Sequence, residues 1–167
     1  MIYISSDHAG FNLKEELLSI LKTQNIEIED LGPFTFDPTD DYPDYAYTLA
    51  KMVVQESTKG ILICGTGSGM AIVANKIKGA RATVCDDENI ARMSRNHNDS
   101  NILVIKATSK YHGIEDESVP SKEQVREYAN SLSMNVINPF INTMPSNEER
   151  HIRRREKIKA IEELTMK

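Results

Sequence analysis

The sequence predicts an α/β fold: a three-layer, doubly wound, five-stranded parallel sheet of Rossmann-like type in the order 2-1-3-4-5, followed by a C-terminal helix. Three observations predict it: five short segments rich in Ile, Leu and Val, helical segments that alternate with them, and the absence of an internal repeat. Short apolar strands alternating with helices indicate a parallel sheet covered on both faces. Right-handed crossovers leave few strand orders, and 2-1-3-4-5 is a common one.

Each element has a local basis in the sequence. The first helix carries its leucines on one face, Pro43 suits the first turn of the second, and Gly79 ends the third. The predicted strands are 2–6, 26–31, 60–64, 82–85 and 102–105, and the helices between them are 11–23, 42–57, 70–78 and 87–96.

The chain is expected to form a single domain, 1–167. After the fifth strand the pattern weakens, and 108–147 is interpreted as a divergent segment of loop with a helix at 122–133. A C-terminal helix is predicted at 148–164, with Ser146 or Asn147 as its cap.

Composition and charge disfavour several classes of partner. The 167 residues are 40% hydrophobic and 27% charged with a net charge of −5, so a nucleic acid or an anionic membrane is a poor partner. No apolar run approaches the ~20 residues that a membrane-spanning helix needs. Two cysteines and a start without a secretory signal pattern suit a reducing compartment, and the expected location is cytoplasmic.

The segment Cys64-Gly65-Thr66-Gly67-Ser68-Gly69 lies between a strand and a helix. Glycines allow a ligand to approach the backbone, and the N–H groups at a helix N-terminus attract an anion. The same field is expected to lower the pKa of Cys64 and make it a candidate base or nucleophile. A lone strand cysteine is also commonly a small buried apolar residue. The glycine spacing matches neither a P-loop nor a dinucleotide-binding fingerprint.

Polar residues from two further places are candidates for the same ligand. Ligands of such sheets bind where the winding reverses, which places Asp7 and His8 after strand one opposite the glycine loop. His8 is either a ligand-facing residue there or an ordinary surface histidine. Arg150 and Arg154 share one helix face, which suits a phosphate, although a solvated charged face is the simpler explanation.

Four segments carry a more specific signal: Ser6-Asp7-His8-Ala9-Gly10-Phe11, Asp41-Tyr42-Pro43-Asp44-Tyr45-Ala46, Cys64-Gly65-Thr66-Gly67-Ser68-Gly69, and Ser94-Arg95-Asn96-His97-Asn98-Asp99-Ser100-Asn101. Together they resemble the type B ribose-5-phosphate isomerases, whose family also contains the galactose-6-phosphate isomerase subunits. The resemblance covers Ile2 to about Ile105 and resumes at Arg150-His151 and Arg154. It implies an aldose–ketose isomerase that acts on a sugar phosphate through a cis-enediolate, with no metal and no other cofactor.

The resemblance also implies the role of each site residue. Cys64 would move a proton between C2 and C1, while Thr66 and His97 would open the furanose ring. The remaining roles are binding roles: sugar hydroxyls by Asp7 and Asn98, the enediolate by the amides of Gly65, Gly67, Ser68 and Gly69, and the phosphate by His8, Arg150 and Arg154.

The predicted position of His97 bears on assembly. His97 follows a helix and precedes strand five, which places it at the amino end of the sheet, roughly 15–20 Å from Cys64. A second subunit could supply it most easily, and the resembled family is dimeric with shared active sites. We therefore expect a homodimer, with a tetramer as an open alternative.

The chain departs from the resembled family in three places. The arginine that follows strand five in relatives is absent, so Lys106 or Lys110 replaces it or the contact is missing. Glu148-Glu149 stands where relatives have paired glycines, and the segment 108–147 is longer than usual. These departures leave open whether the substrate is ribose 5-phosphate or a six-carbon sugar phosphate such as allose 6-phosphate or galactose 6-phosphate.

Two alternative functions and one alternative kind of site are compared with the isomerase interpretation. A dinucleotide-binding protein would use Asp86, about twenty residues after the glycine loop, for a ribose. A non-catalytic sugar-phosphate sensor would keep the loop without turnover. A metal site is disfavoured because the histidines are scattered along the chain, at His8, His97, His112 and His151.

Overall fold

The computed structural model describes residues 1–107 and 120–166, and it confirms the α/β class. A five-stranded sheet forms the middle layer, and every paired strand in it is parallel. The strands are β1 Ile2–Ser6, β2 Ile28–Asp30, β3 Lys59–Cys64, β4 Ala82–Val84 and β5 Ile102–Lys106. The helices are α1 Phe11–Thr23, α2 Tyr42–Gln55, α3 Ser68–Ala74, α4 Glu88–Asn98, α5 Lys122–Leu132, α6 Asn138–Asn142 and α7 Glu149–Thr165.

The strand order is β2-β1-β3-β5-β4, so the predicted order 2-1-3-4-5 is wrong for its last two strands. β5 pairs with β3 from Gly60↔Ile102 to Cys64↔Lys106, and β4 pairs with β5 at the edge. The reason lies in composition: β5 begins with four large apolar residues, Ile102 to Ile105, and they become buried, whereas β4 consists of Ala82, Thr83 and Val84, which stay half-buried. An interior position requires a strand that is apolar on both faces, and of these two strands it is β5 that meets the condition.

Alternate residues of the central strands supply two separate cores. In β3, Ile61 and Ile63 pack toward α1, α4, α5 and α6, whereas Leu62 and Cys64 pack toward α2 and α3. This follows from the two-residue period of a strand, which sends successive side chains to opposite faces. Cys64 therefore lies on the α2/α3 face, at the end of its strand.

The C-terminal part of the chain packs differently from the rest. A π-helical turn at Ser133–Ile137 joins α5 to α6, and Pro139 occupies the first turn of α6, where its missing N–H is not needed. α7 is exposed along most of its length, with His151 as its buried residue. Within the two described ranges, no helix combines the length and apolar character required to cross a membrane.

Candidate active site

Cys64 is the last residue of β3, and the glycine loop begins directly after it. Its side chain is only 5% exposed. Gly67 has φ +78°, and a Cβ there would lie 3.2 Å from Val84 Cγ1 and 3.4 Å from Val104 Cγ1. Both the left-handed backbone and the crowded space therefore require glycine. The exposed Thr66 accepts a weak hydrogen bond from the Ser68 N–H at 3.3 Å through its Oγ1.

Tyr42 forms a wall of this loop that the sequence analysis did not assign to the site. A Cβ on Gly69 would lie 2.8 Å from both Cε2 and Cζ of the Tyr42 ring, so the ring packs directly on the loop backbone. The ring is also partly exposed to solvent, at 41%. The sequence does place Tyr42 at the start of α2. The first turn of this helix lies at the same edge of the sheet as the glycine loop, and this position could have indicated a role for Tyr42 in the site.

The pKa of the Cys64 thiol is raised above its ordinary value, contrary to the expectation from the sequence. Burial is the largest cause, and the neighbouring Asp7 carboxylate acts in the same direction. The backbone N–H groups of Met70, Gly67 and Thr66 favour the thiolate but only partly offset these effects. At neutral pH the resting side chain is therefore mainly a thiol.

Asp7 and His8 leave β1 beside Cys64, as the predicted crevice required. The Asp7 N–H donates to the Ile63 carbonyl at 3.2 Å, one residue before Cys64. Asp7 is buried, and its Oδ1 accepts from the Gly10 N–H at 3.0 Å. Burial raises the pKa of the Asp7 carboxyl, with the Gly10 hydrogen bond acting against it.

A carboxylate that the sequence analysis missed holds His8. Asp40 Oδ1 accepts from the backbone N–H of His8 at 3.1 Å and from its ring Nδ1 at 2.6 Å. The Asp40 side chain is 5% exposed, whereas that of His8 is 40% exposed. Asp40 lies in the loop before α2, where the sequence offers no periodic pattern that would have pointed to it.

The second group of predicted residues lies at the opposite end of the sheet. His97 and Asn98 are the last residues of α4. In the turn that follows, the Asn101 carbonyl accepts a hydrogen bond from the Gly60 N–H at 2.9 Å, and Gly60 lies near the start of β3. The His97 ring stacks on the ring of His151, with centroids 4.2 Å apart and planes 7° from parallel.

The start of α7 surrounds this stacked pair with charge. Arg150 Nε donates to Glu148 at 2.8 Å and to His151 Nε2 at 3.2 Å, and Arg154 is exposed one turn later. The pKa of His151 is lowered by burial first, and by the charges of His97 and Arg150. His151 is therefore a neutral ring that supports both His97 and Arg150.

A single chain does not bring the two groups together. β3 is six residues long, which at ~3.3 Å per residue separates its first and last residues by roughly 17 Å. One group comprises Asp7, His8, Cys64 and the loop up to Gly69, and the other comprises His97, Asn98, Arg150 and Arg154. Each is half of the predicted site.

The structure bears on the lysines that could replace the missing arginine and on the disfavoured metal site. Lys106 pairs with Cys64 in the sheet, but its Nζ donates to Asp86 at 3.0 Å. The lysine that could replace the missing arginine therefore binds the carboxylate that a dinucleotide-binding protein would use for a ribose. Lys110 and His112 lie outside the described residues. Within the part of the chain that the structure covers, no group of three or more potential metal ligands occurs.

A cavity of about 670 Å³ lies at the amino end of the sheet. Its basic residues include Arg81 and Arg95, and both guanidinium groups bind Asp99, at 2.9 and 2.7 Å. Further bonds from these groups go to backbone carbonyls, including that of Ser100. These arginines therefore fix the turn that follows His97 and Asn98.

Comparison with known proteins gives consistent matches. The family model described as Ribose/Galactose Isomerase matches residues 2–158. A probable ribose-5-phosphate isomerase B of Mycoplasma pneumoniae is 46% identical over 107 residues, 64% of this chain and 70% of the relative. The ribose-5-phosphate isomerase B of Escherichia coli is 46% identical over 103 residues, 61% of this chain and 68% of the relative.

Solved structures match over almost the whole chain. The crystal structure of ribose-5-phosphate isomerase B from Mycoplasma genitalium with bound ribulose-5-phosphate is 34% identical, has a TM-score of 0.77 and covers 98% of this chain and 97% of that chain. The corresponding enzyme from Thermotoga maritima is 36% identical with a TM-score of 0.74, covering 95% and 97%.

Proposed function

The chain belongs to the ribose/galactose isomerase family, and we propose that it interconverts ribose 5-phosphate and ribulose 5-phosphate through a cis-enediolate with Cys64 as the base. The observation that carries the proposal is the position of Cys64. Its sulfur lies at the end of β3, within the field of three backbone N–H groups and beside Asp7. A buried thiol among oriented amide donors combines a base with an anion-stabilising cradle.

The chemistry needs both parts. The Cys64 thiolate removes the proton from C2 of the open-chain sugar, the electron pair forms the C1=C2 bond, and the carbonyl oxygen on C1 takes the negative charge. The amides of Gly65, Gly67, Ser68 and Gly69 stabilise that oxyanion. A proton passes from the C2 hydroxyl to the oxygen on C1, and the thiol then returns its proton to C1.

The raised pKa of Cys64 fits this role in one respect. A C–H bond beside a carbonyl is only weakly acidic, and a base of higher pKa takes its proton more readily. The accompanying cost is that fewer Cys64 side chains are ionised at neutral pH. Turnover is therefore expected to increase as the pH rises.

The proposed site is completed by a second subunit in a homodimer. The position of Cys64 and His97 at opposite ends of the sheet supports this, because a strand of six residues is roughly 17 Å long and a sugar phosphate cannot span that length. His97 would give a proton to the ring oxygen with Thr66 assisting, and Asn98 and Asp7 would bind hydroxyls. The phosphate would lie between His8 of one subunit and the arginines of the other, Arg150 and Arg154.

The test is turnover of ribose 5-phosphate to ribulose 5-phosphate in EDTA, with the wild type, Cys64→Ala and Cys85→Ala side by side. Cys85 is the matched control, because it is also buried and burial raises its pKa to about 11. We expect Cys64→Ala to lose turnover and Cys85→Ala to keep it. An active Cys64→Ala variant would show that another group is the base.

The substrate assignment is tested with the same proteins. Wild-type turnover of allose 6-phosphate or galactose 6-phosphate without turnover of ribose 5-phosphate would keep the isomerase family and replace the substrate. Failure on every sugar phosphate would favour a non-catalytic sugar-phosphate-binding protein instead.

A further inference from the structure

We propose that Asp40 is a positioning residue that holds the His8 imidazole in the orientation that binds the substrate phosphate. This rests on the proposed function, which assigns the phosphate to His8. Asp40 lies outside the four segments that carry the family resemblance, and the sequence alone gives it no role.

The geometry is a two-point attachment. A single carboxylate oxygen, Asp40 Oδ1, accepts both the backbone N–H of His8 at 3.1 Å and the ring Nδ1 at 2.6 Å. These bonds join the end of β1 to a loop that is 32 residues away in sequence. Because both the main chain and the ring are held by one atom, the imidazole is fixed in position and in direction.

The attachment also determines which ring nitrogen carries the proton. An ionised carboxylate only accepts hydrogen bonds, so the shared proton belongs to Nδ1 of His8. Nε2 is then the nitrogen that is left for a ligand. When His8 is protonated, Nε2–H donates to a phosphate oxygen, and the Asp40 carboxylate compensates the imidazolium charge.

The burial of Asp40 matters because a phosphate dianion would be repelled by an open carboxylate. The Asp40 side chain is 5% exposed, and it also lies beside Tyr45, whose pKa is raised first by burial and, among smaller causes, by the charge of Asp40 and a hydrogen bond to it. The buried Asp40 carboxylate thus contacts the Nδ1 side of the His8 ring, while the His8 side chain is 40% exposed.

Two further carboxylates act electrostatically on His8. Hydrogen bonds from Thr39 are the main cause that lowers the pKa of Asp37, and the charge of His8 adds to them. The pKa of Asp7 is raised chiefly by burial, against which His8 also acts. Neither of them makes a hydrogen bond to the His8 ring among the described residues, so Asp40 alone can set the ring's orientation.

The experiment compares Asp40→Ala and Asp40→Asn with Asp44→Asn, which removes an exposed carboxylate four residues away. Loss of a charge-assisted hydrogen bond predicts that Asp40→Ala raises KM for ribose 5-phosphate about tenfold while kcat changes less than about twofold. Asp40→Asn keeps an acceptor and should raise KM about threefold. Asp44→Asn should match the wild type.

A second measurement distinguishes positioning from a general structural effect. Proton–nitrogen NMR of the histidine ring, at alkaline pH where the imidazole is neutral, should place the proton on Nδ1 of His8 in the wild type. In Asp40→Ala we expect a shift to the Nε2–H form, with Asp40→Asn intermediate. Thermal unfolding of each variant establishes that it is folded, and Asp40→Asn provides the comparison if Asp40→Ala is not.

The proposal is overturned if the Asp40 variants keep the wild-type KM, or if His8 keeps its proton on Nδ1 in Asp40→Ala. A wild type that turns over no sugar phosphate would defeat the proposed function instead. In that case titration with inorganic phosphate, followed at the His8 ring signals, still decides the role of Asp40: about tenfold weaker binding in Asp40→Ala supports it, and equal binding refutes it.

Discussion

Mixed dimers provide the sharpest test of the two-subunit site. We consider one chain with Cys64→Ala and another with His97→Asn, which damage opposite halves. If the site is shared, one site of the mixed dimer combines both substitutions and the other combines two intact halves. Each parent homodimer has no intact site, so any turnover above the parents comes from the mixed species.

The expected magnitude follows from the symmetry of a dimer. Random reassociation of equal amounts gives about half mixed dimers, and one of the two sites in each is intact, so about a quarter of all sites regain function. Purified mixed dimers should reach about half of the wild-type rate. A site built within one chain predicts no recovery, because each chain then carries its own defect.

The assay uses two affinity tags, refolding of the mixed chains and turnover of ribose 5-phosphate. A matched negative control pairs Cys64→Ala with Asp7→Asn, since both residues lie at the carboxyl end and neither mixed site is then intact. Mixed dimers of Cys64→Ala and His97→Asn that are no more active than the mean of their parents would refute the shared site.

Two further predictions concern pH and packing. If the Cys64 thiolate is the base, then because burial raises its pKa, kcat at saturating ribose 5-phosphate should rise with pH and still be rising at the ~8.5 of an ordinary thiol; a plateau already reached by pH 7.5 would contradict this assignment. For Gly10→Ala, the new Cβ would lie 2.5 Å from the Ile63 carbonyl oxygen and 2.8 Å from Ile63 Cγ2, so we expect a loss of about 2–3 kcal/mol in urea unfolding. The exposed Asn12→Ala on the adjoining helix is the control, and equal stability of the two variants would show that the backbone at Gly10 relaxes.

The sequence predicted well what depends on local pattern. Alternating apolar strands and helices indicate the α/β class, and the direction of α4 predicts the position of His97 at the amino end of the sheet. The predicted strand order was wrong because the position of a strand depends on how apolar it is relative to the other strands, which the pattern of one strand does not show. Right-handed connections allow either β4 or β5 to pair with β3. The difference between them is that β5 is apolar over four residues, whereas β4 is short and half-buried.

Cys64 and Asp40 show why the electrostatics of the site could not be inferred in the same way. The helix N-terminus beside Cys64 is visible in the sequence, and its N–H groups do favour the thiolate. The larger opposing effect is burial of Cys64 among the apolar residues of α2 and α3, to which the charge of Asp7 adds, and both depend on the assembled fold. Likewise, Asp40 and His8 are 32 positions apart, and Asp40 lies in an irregular loop. Such a loop has no helical or strand periodicity from which the contact could be predicted. A motif therefore locates the candidate reacting atom, whereas the protonation of that atom is determined by distant residues that the fold brings to it.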